Sequence, residues 1–237
     1  SNRVDFISRL FSRKAPTGLD DKSTARAIFV AYRTAEADEQ MFSQNLRAVK
    51  DRLMKEHRFP LSAEDQASID FIYKVFFDTG PGLNYPRGGF GFTGFGGANY
   101  ADLMAATDAQ GEAQSYLATE ENFQFVRDME RKNMILPVVG DFAGSKALRA
   151  VGKYVKDHGA AVTVFYTSNV EQYLFQQDED WRHFLSNVAT FPMDASSTFI
   201  RSAHFAYTPD GQQISRQVAG GNFISLLCPM ADLINAF

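Results

Sequence analysis

The sequence predicts an α/β fold in which a mostly parallel β-sheet carries an antiparallel hairpin at its edge and follows a helical N-terminal region. Two apolar runs, residues 134–139 and 161–166, flank one helical segment, and this spacing is typical of a right-handed parallel crossover. The Thr-Pro-Asp-Gly sequence at residues 208–211 is a turn signal and predicts a hairpin over residues 205–215. Residues 3–80 show apolar positions at helical spacing, which predicts the helical region.

Several helix ends have typical capping residues. Ser62 and Asp65 have the spacing of a capping box, with Asp in place of Glu. Ser23 and Thr119 each precede an amphipathic run and are predicted N-caps. Further helices are predicted near residues 100–106, 145–158, 170–175, 181–189 and 230–237, and a further strand is predicted to begin at residue 198. Pro137 lies inside the first predicted strand, where it cannot donate a ladder hydrogen bond.

The length of 237 residues suits one large domain with a sizeable core. We expect one structural domain made of three regions. They are a helical N-terminal region packed on the sheet (residues 1–80), a loop region rich in Gly and Phe (residues 81–118) and an α/β core (residues 119–237).

Composition and charge exclude several classes of partner. The net charge of −4 and the pI of about 5.6 argue against nucleic-acid binding. No apolar run approaches the length of a membrane span, and the charged start lacks the apolar core of a secretory signal. Cys228 is the only cysteine, which favours a reducing compartment such as the cytoplasm. The histidines lack metal-binding spacing, so no metal site is expected.

The first candidate site is the loop Gly-Asp-Phe-Ala-Gly at residues 140–144, after the first predicted strand. Ligands of open α/β sheets bind outside the carboxyl ends of the strands. Gly140 and Gly144 would let the backbone turn tightly, and Asp141 could accept ligand hydrogen bonds or act as a general base. In the alternative interpretation, Asp141 caps the following helix and the glycines only form the turn. The spacing does not match a Walker A phosphate loop.

The second candidate site follows the next predicted strand. Ser168, Asn169 and Glu171 come directly after the apolar run, at the same sheet edge as Asp141 if the crossover is parallel. The two loops would then form one cleft. Ser168 or Asn169 could instead only cap the next helix, which is a common role for these residues. We expect a mixed role, in which Ser168 or Asn169 caps the helix and another polar group faces the cleft.

The stretch Gly-Phe-Gly-Phe-Thr-Gly at residues 89–94 is a literal G-x-G-x-x-G sequence. No strand pattern precedes it and no helix pattern follows it, so a dinucleotide-binding role is disfavoured. We expect a lid over the cleft, with tight structural packing as the alternative. Glu120 and Glu121 suit the first turn of a helix, where acidic residues interact well with the dipole.

Four blocks of sequence, residues 115–123, 137–144, 165–174 and 197–201, resemble a family of uncharacterised bacterial proteins. The Gly-Asp-Phe-Ala-Gly and Ser-Asn-Val-Glu segments are the most specific to it. That family is thought to have the Rossmann-like fold of class I S-adenosylmethionine-dependent methyltransferases. The resemblance implies S-adenosylmethionine as cofactor, and a site formed by the residues of the two candidate loops: Gly140, Asp141, Phe142, Gly144, Ser168, Asn169 and Glu171.

The chain departs from methyltransferases in one respect. Their cofactor site normally includes a Gly-containing loop early in the fold, whereas residues 3–80 here have a helical pattern. Either the sequence is a piece of a longer protein, or this protein lacks that half of the site.

Three functions remain open. The first is methyl transfer to a small molecule, with Asp141 as the catalytic residue. The second is a non-catalytic binding or scaffold domain that has lost the cofactor-binding half. The third is a hydrolase that uses Asp141 as general base.

Overall fold

A computed structural model describes residues 2–84, 98–176, 179–204 and 223–235. The chain divides into two units, Ser1–Ile135 and Leu136–Phe237. The boundary falls inside the predicted strand at residues 134–139. The Gly/Phe motif at residues 89–94 and the predicted hairpin at residues 205–215 lie outside the described residues.

The first unit is helical in its described part, as the sequence predicts. Its helices are α1 (Arg3–Phe11), α2 (Ala25–Arg33), α3 (Glu39–Asp51), α4 (Ala63–Thr79), α5 (Tyr100–Met104) and α6 (Glu120–Arg131). A π-helical turn, Arg52–Glu56, extends α3, and a 3₁₀ turn, Gly80–Gly82, follows α4.

Local capping chemistry sets these helix ends. The capping box of Ser62 and Asp65 is present, with both reciprocal hydrogen bonds formed. Thr119 caps α6 as predicted. The predicted cap of α2 is wrong by one residue: Thr24 accepts a hydrogen bond from the amide of Ala27, while the hydroxyl of Ser23 donates to Asp20.

A buried guanidinium group organises the first unit. The side chain of Arg3 is almost fully buried and forms an ion pair with Glu120, with 3.3 Å between Nε and Oε2. Its terminal nitrogens donate to the backbone carbonyls of Leu117 and Ala118 and to those of two residues before α2, Asp21 and Ser23. One side chain therefore connects α1 with the start of α6 and with the loop before α2.

Apolar side chains of α1, α2 and α6 form the hydrophobic core of the first unit. They form a cluster with α5 and the segment before α6: Ile7, Phe11, Ile28, Phe29, Tyr32, Ala101, Leu117 and Phe123. The spacing of Ile28, Phe29 and Tyr32 on one stripe of α2 is the helical periodicity seen in the sequence.

The second unit contains a small sheet and four described helices. Its elements are α7 (Ala147–Asp157), β1 (Val164–Ser168), α8 (Glu171–Leu174), α9 (Asp180–Val188), β2 (Thr198–His204), β3 (Phe223–Pro229) and α10 (Met230–Asn235). The strand order is β1-β2-β3. β1 runs parallel to β2, and β2 runs antiparallel to β3.

The prediction of a Rossmann-like, mostly parallel sheet is wrong. The described sheet has three strands and is mixed, with one parallel and one antiparallel pair. Residues 134–139, the first predicted strand, are irregular, and Val139 is fully exposed. An apolar run predicts a buried strand only where other elements cover it, and here Met134, Leu136 and Val138 are also exposed.

One face of the sheet supports the core of the second unit. Phe165 of β1 and Phe199 of β2 pack against α9, α10 and α7 in a cluster that includes Phe184, Val188 and Met230. Side chains on the opposite face, among them Val164, Tyr166 and Leu227, are exposed. The described sheet therefore has its helices on one side.

We expect Arg3→Ala to destabilise the first unit by about 3–5 kcal/mol, because Glu120 and four buried or half-buried carbonyl groups would lose their donor. Urea unfolding followed by hydrogen exchange in α1 and α6 measures the change. Arg9→Ala, in the same helix, is the control, since its ion pair with Asp5 is exposed and is worth about 1 kcal/mol or less. Equal effects of the two substitutions would contradict the role of Arg3.

The first unit is also expected to lose stability at alkaline pH. Burial raises the pKa of Tyr32 to about 12. It also raises the pKa values of Tyr100 and Tyr116 above the ordinary pKa of a tyrosine. The folded state therefore favours neutral phenols. Their contribution to the free energy of unfolding is complete below about pH 10 and is lost as the pH rises further. Absorbance at the phenolate band, followed together with circular dichroism, should show these phenols ionising only as the unit unfolds. Complete ionisation without unfolding would contradict the prediction.

Candidate functional site

The loop at residues 140–144 does not follow a strand, but it is ordered by its own hydrogen bonds. The carboxylate of Asp141 accepts the amide of Ala143 at 2.9 Å, and the amide of Gly144 donates to the carbonyl of Asp141 at 3.2 Å. Gly140 lies so close to Ala147 that a Cβ there would overlap the alanine side chain. Asp141 is exposed and caps its own loop rather than α7, which begins at Ala147 without a side-chain cap.

The loop is fastened to the second unit by a residue that the sequence analysis missed. Asn187 of α9 is buried, and its amide nitrogen donates to the carbonyls of Phe142 at 3.0 Å and Gly144 at 2.9 Å. Its amide oxygen accepts Nε of Arg149 at 2.7 Å. An asparagine in the middle of an amphipathic helix has no sequence signal for this role, because its partners are backbone carbonyls about forty positions away.

Phe142 points into the core and not toward a ligand cleft. Its ring is parallel to that of Phe165 at 6.3 Å between centroids, and it also contacts Phe184. This places the loop beside the middle of β1.

The second candidate loop, at residues 168–171, is organised by a buried ion pair. Arg201 of β2 donates through Nε to both carboxylate oxygens of Glu171, at 2.9 and 3.0 Å, and through a terminal nitrogen to Oε2 at 2.8 Å. The hydroxyl of Thr167 donates to Oε1 at 3.0 Å. All three side chains are buried.

Arg201 stays charged in this position. Burial by itself lowers the pKa of the guanidinium group, but the hydrogen bonds and the negative charge of Glu171 raise it above its ordinary value. The carboxylate of Glu171, a predicted ligand-binding residue, is therefore already engaged in the ion pair with Arg201. Arg201 appeared in one of the sequence blocks, but nothing in the sequence paired it with Glu171.

A narrow pocket lies beside this ion pair. It is lined by Glu171, Arg201 and apolar side chains of α8, α9 and α10, among them Leu174, Trp181 and Leu233. It has room for about one water molecule. The pocket is too small for a cofactor or a substrate.

The turn after β1 has an unusual backbone. Ser168 has a φ of 50°, in the left-handed region that costs a residue with a side chain about 1–2 kcal/mol. The pairing of β1 with β2 shifts register at the same place, between Tyr166 and Ser168. The helix α8 starts with Val170 at its N-cap and has no side-chain cap, so the prediction that Ser168 or Asn169 caps it is wrong.

The structure thus places the predicted residues in two groups. Gly140, Asp141, Phe142 and Gly144 lie in the loop that Asn187 holds through the carbonyls of Phe142 and Gly144. Ser168, Asn169 and Glu171 lie at the turn after β1. Among the residues that the structure describes, no hydrogen bond joins the two loops. Over the same ranges, no group of three or more His, Cys, Asp or Glu residues could hold a metal ion.

Asn187→Ala should release the loop at residues 140–144. We expect a loss of about 1–3 kcal/mol, because two carbonyls and the guanidinium of Arg149 would lose a partner. Hydrogen exchange of the amides of Ala143 and Gly144 measures the effect. Ser186→Ala, which removes only an exposed 3.3 Å contact to Arg149, is the control. Unchanged exchange in the Asn187 variant would show that the loop is held by other contacts.

Comparison with known proteins gives a family but no activity. No helix among the described residues has both the length and the apolar character needed to cross a membrane. No curated protein matches the chain. Residues 19–223 match the family described as a domain of unknown function, DUF7790. Because this match covers more than half of the sequence, the chain belongs to the DUF7790 family.

Proposed function

We propose that this chain is a small-molecule-binding domain whose ligand sits at the carboxyl end of the parallel pair β1 and β2. The observation that supports this proposal is the turn at Ser168 and Asn169. Both residues are half-buried, and their side chains make no hydrogen bond in the described part of the chain. They follow a parallel strand, where ligands of α/β proteins commonly bind.

The rigid support of the turn favours this interpretation. Backbone strain at Ser168 persists only if its surroundings hold it, and strained residues are concentrated at functional sites. Here the chain on both sides is fixed, by Thr167 on β1 and by the Glu171–Arg201 ion pair on α8 and β2. A binding site on a pre-organised turn loses little conformational entropy when the ligand arrives.

The chemistry of the turn restricts the ligand class. A serine hydroxyl and an asparagine amide each donate and accept, and neither carries a charge. Glu171 and Arg201, which flank the turn, neutralise each other. These groups suit the hydroxyls or amides of a neutral ligand moiety, such as a ribose. S-adenosylmethionine contains such a ribose, and it is the cofactor that the sequence resemblance implies.

A binding role without catalysis is the form of this proposal that the geometry favours. Asp141, the predicted catalytic residue, uses its carboxylate to order its own loop, and Glu171 is occupied by Arg201. Methyl transfer would need, in addition, a methyl acceptor bound next to the cofactor.

A single cysteine in 237 residues suits a reducing compartment, and we assign the chain to the cytoplasm.

Isothermal titration with S-adenosylmethionine, S-adenosylhomocysteine and adenosine tests the proposal. We expect binding of all three, and a loss of affinity of at least about tenfold in Asn169→Ala and in Ser168→Ala, because each variant removes a ribose partner. Ser225→Ala, an exposed serine on β3, is the control and should bind normally.

The outcomes separate the alternatives. Absence of heat with all three compounds would overturn the proposal for this ligand class. Binding that Asn169→Ala and Ser168→Ala leave unchanged would place the ligand elsewhere. Transfer of a labelled methyl group to a small-molecule acceptor pool, lost in Asp141→Ala, would overturn the non-catalytic form and support the methyltransferase.

A further inference from the structure

A continuous run of exposed chain joins the two units. Every residue from Arg131 to Asp141 is exposed to solvent. The boundary between the units, after Ile135, lies inside this run. We call residues 131–141 the linker.

The backbone in the middle of the linker is free between two fixed points. Before it, the end of α6 is closed by the amide of Met134, which donates to the carbonyl of Met129 at 2.9 Å. After it, Asn187 holds the loop at residues 140–144. Between these points, residues 135–140 form no hydrogen bond with any residue that the structure describes.

Each unit has a hydrophobic core of its own. Over the described ranges, the buried core of the first unit is formed by residues between Ile7 and Phe123, and that of the second by residues between Leu148 and Leu233. The buried groups Arg3 and Arg201 also find their ion-pair partners within their own units. Within the described chain, a break in the middle of the linker therefore removes no core side chain and no hydrogen bond.

We propose that the linker is a cleavage site for an endoprotease, which divides the chain into two folded units. A protease binds several consecutive residues of its substrate, so cleavage within a helix or a strand first requires local unfolding. Exposed chain without backbone hydrogen bonds needs no such step, and segments of this kind are preferred sites of cleavage. Hydrolysis adds water across one peptide bond, which leaves a carboxylate on the first fragment and an amino group on the second.

The side chains of the linker select the class of protease. Residues 134–139 are apolar and carry no charge. The bond before Pro137 is a poor substrate, because the proline nitrogen has no hydrogen and the ring restricts the residue before it. The bonds after Val138 and Val139 remain, and both valines are exposed. They suit a protease of the elastase type, whose pocket for the residue before the cleaved bond is small and apolar.

Limited digestion of the folded full chain with elastase tests the proposal. Val30 on α2 and Val164 on β1 are internal controls, because they are 58% and 55% exposed, close to the 59% of Val138. Their backbones, however, belong to a helix and a strand. We expect cleavage after Val138 or Val139 to be at least about hundredfold faster than after either control, since a helix or a strand must open first. Mass spectrometry of the fragments identifies the cleaved bond.

Substitutions in the linker provide a second measurement. The double variant Val138→Asp with Val139→Asp puts a charge where the protease pocket is apolar, and it should slow cleavage of the linker at least about tenfold. Val30→Asp, which changes an equally exposed valine on α2, should leave the rate unchanged. Both fragments should keep the hydrogen-exchange protection that their helices have in the intact chain.

Three results would overturn the proposal. The first is a folded chain whose linker resists elastase. The second is equal rates of cleavage in the linker and at the control valines, which would show that the linker backbone is protected. The third is unfolding of either fragment after cleavage, which would show that the two units depend on an intact chain.

Discussion

A charged guanidinium group can be buried only if its hydrogen bonds and its charge are satisfied, and each unit of this chain is arranged around one such group. Arg3 donates hydrogen bonds to backbone carbonyls of separate segments and forms an ion pair with Glu120. Arg201 donates to both carboxylate oxygens of Glu171. Removing one partner of a buried pair costs far more than the pair contributes, so the partners are held in one geometry. The units gain a specific arrangement of helix ends and strand ends, rather than much stability, from these contacts.

This constraint explains why the turn after β1 is the best candidate site. Glu171 begins α8 and Arg201 lies on β2, so their ion pair fixes the chain on either side of Ser168 and Asn169. Ser168, with its left-handed backbone, lies between these fixed points. Glu171, which the sequence analysis placed in the second candidate site, is paired with Arg201 and supports the turn. The neighbouring Ser168 and Asn169 are the residues to which we assign ligand binding in the proposed function.

Local patterns were reliable for several helices, although the predicted caps of α2 and α8 were wrong. The capping box of Ser62 and Asp65, the Thr119 cap and the apolar stripe of α2 each depend on residues within one or two turns, and each prediction is confirmed. The strand at residues 134–139 failed because an apolar run does not specify what covers it or pairs with it. Asn187 was missed for the same reason, since its partners lie far away in the sequence.

The sequence by itself determined the helical character of the first unit, the positions of most helix ends and the stretch of chain in which the polar turn lies. Helix periodicity and capping are encoded by neighbouring residues, and they need no knowledge of the fold. Only the tertiary structure decided the composition of the sheet and the pairing of Arg201 with Glu171. Strand pairing and buried ion pairs join residues about thirty or more positions apart, and burial decides which polar groups remain free.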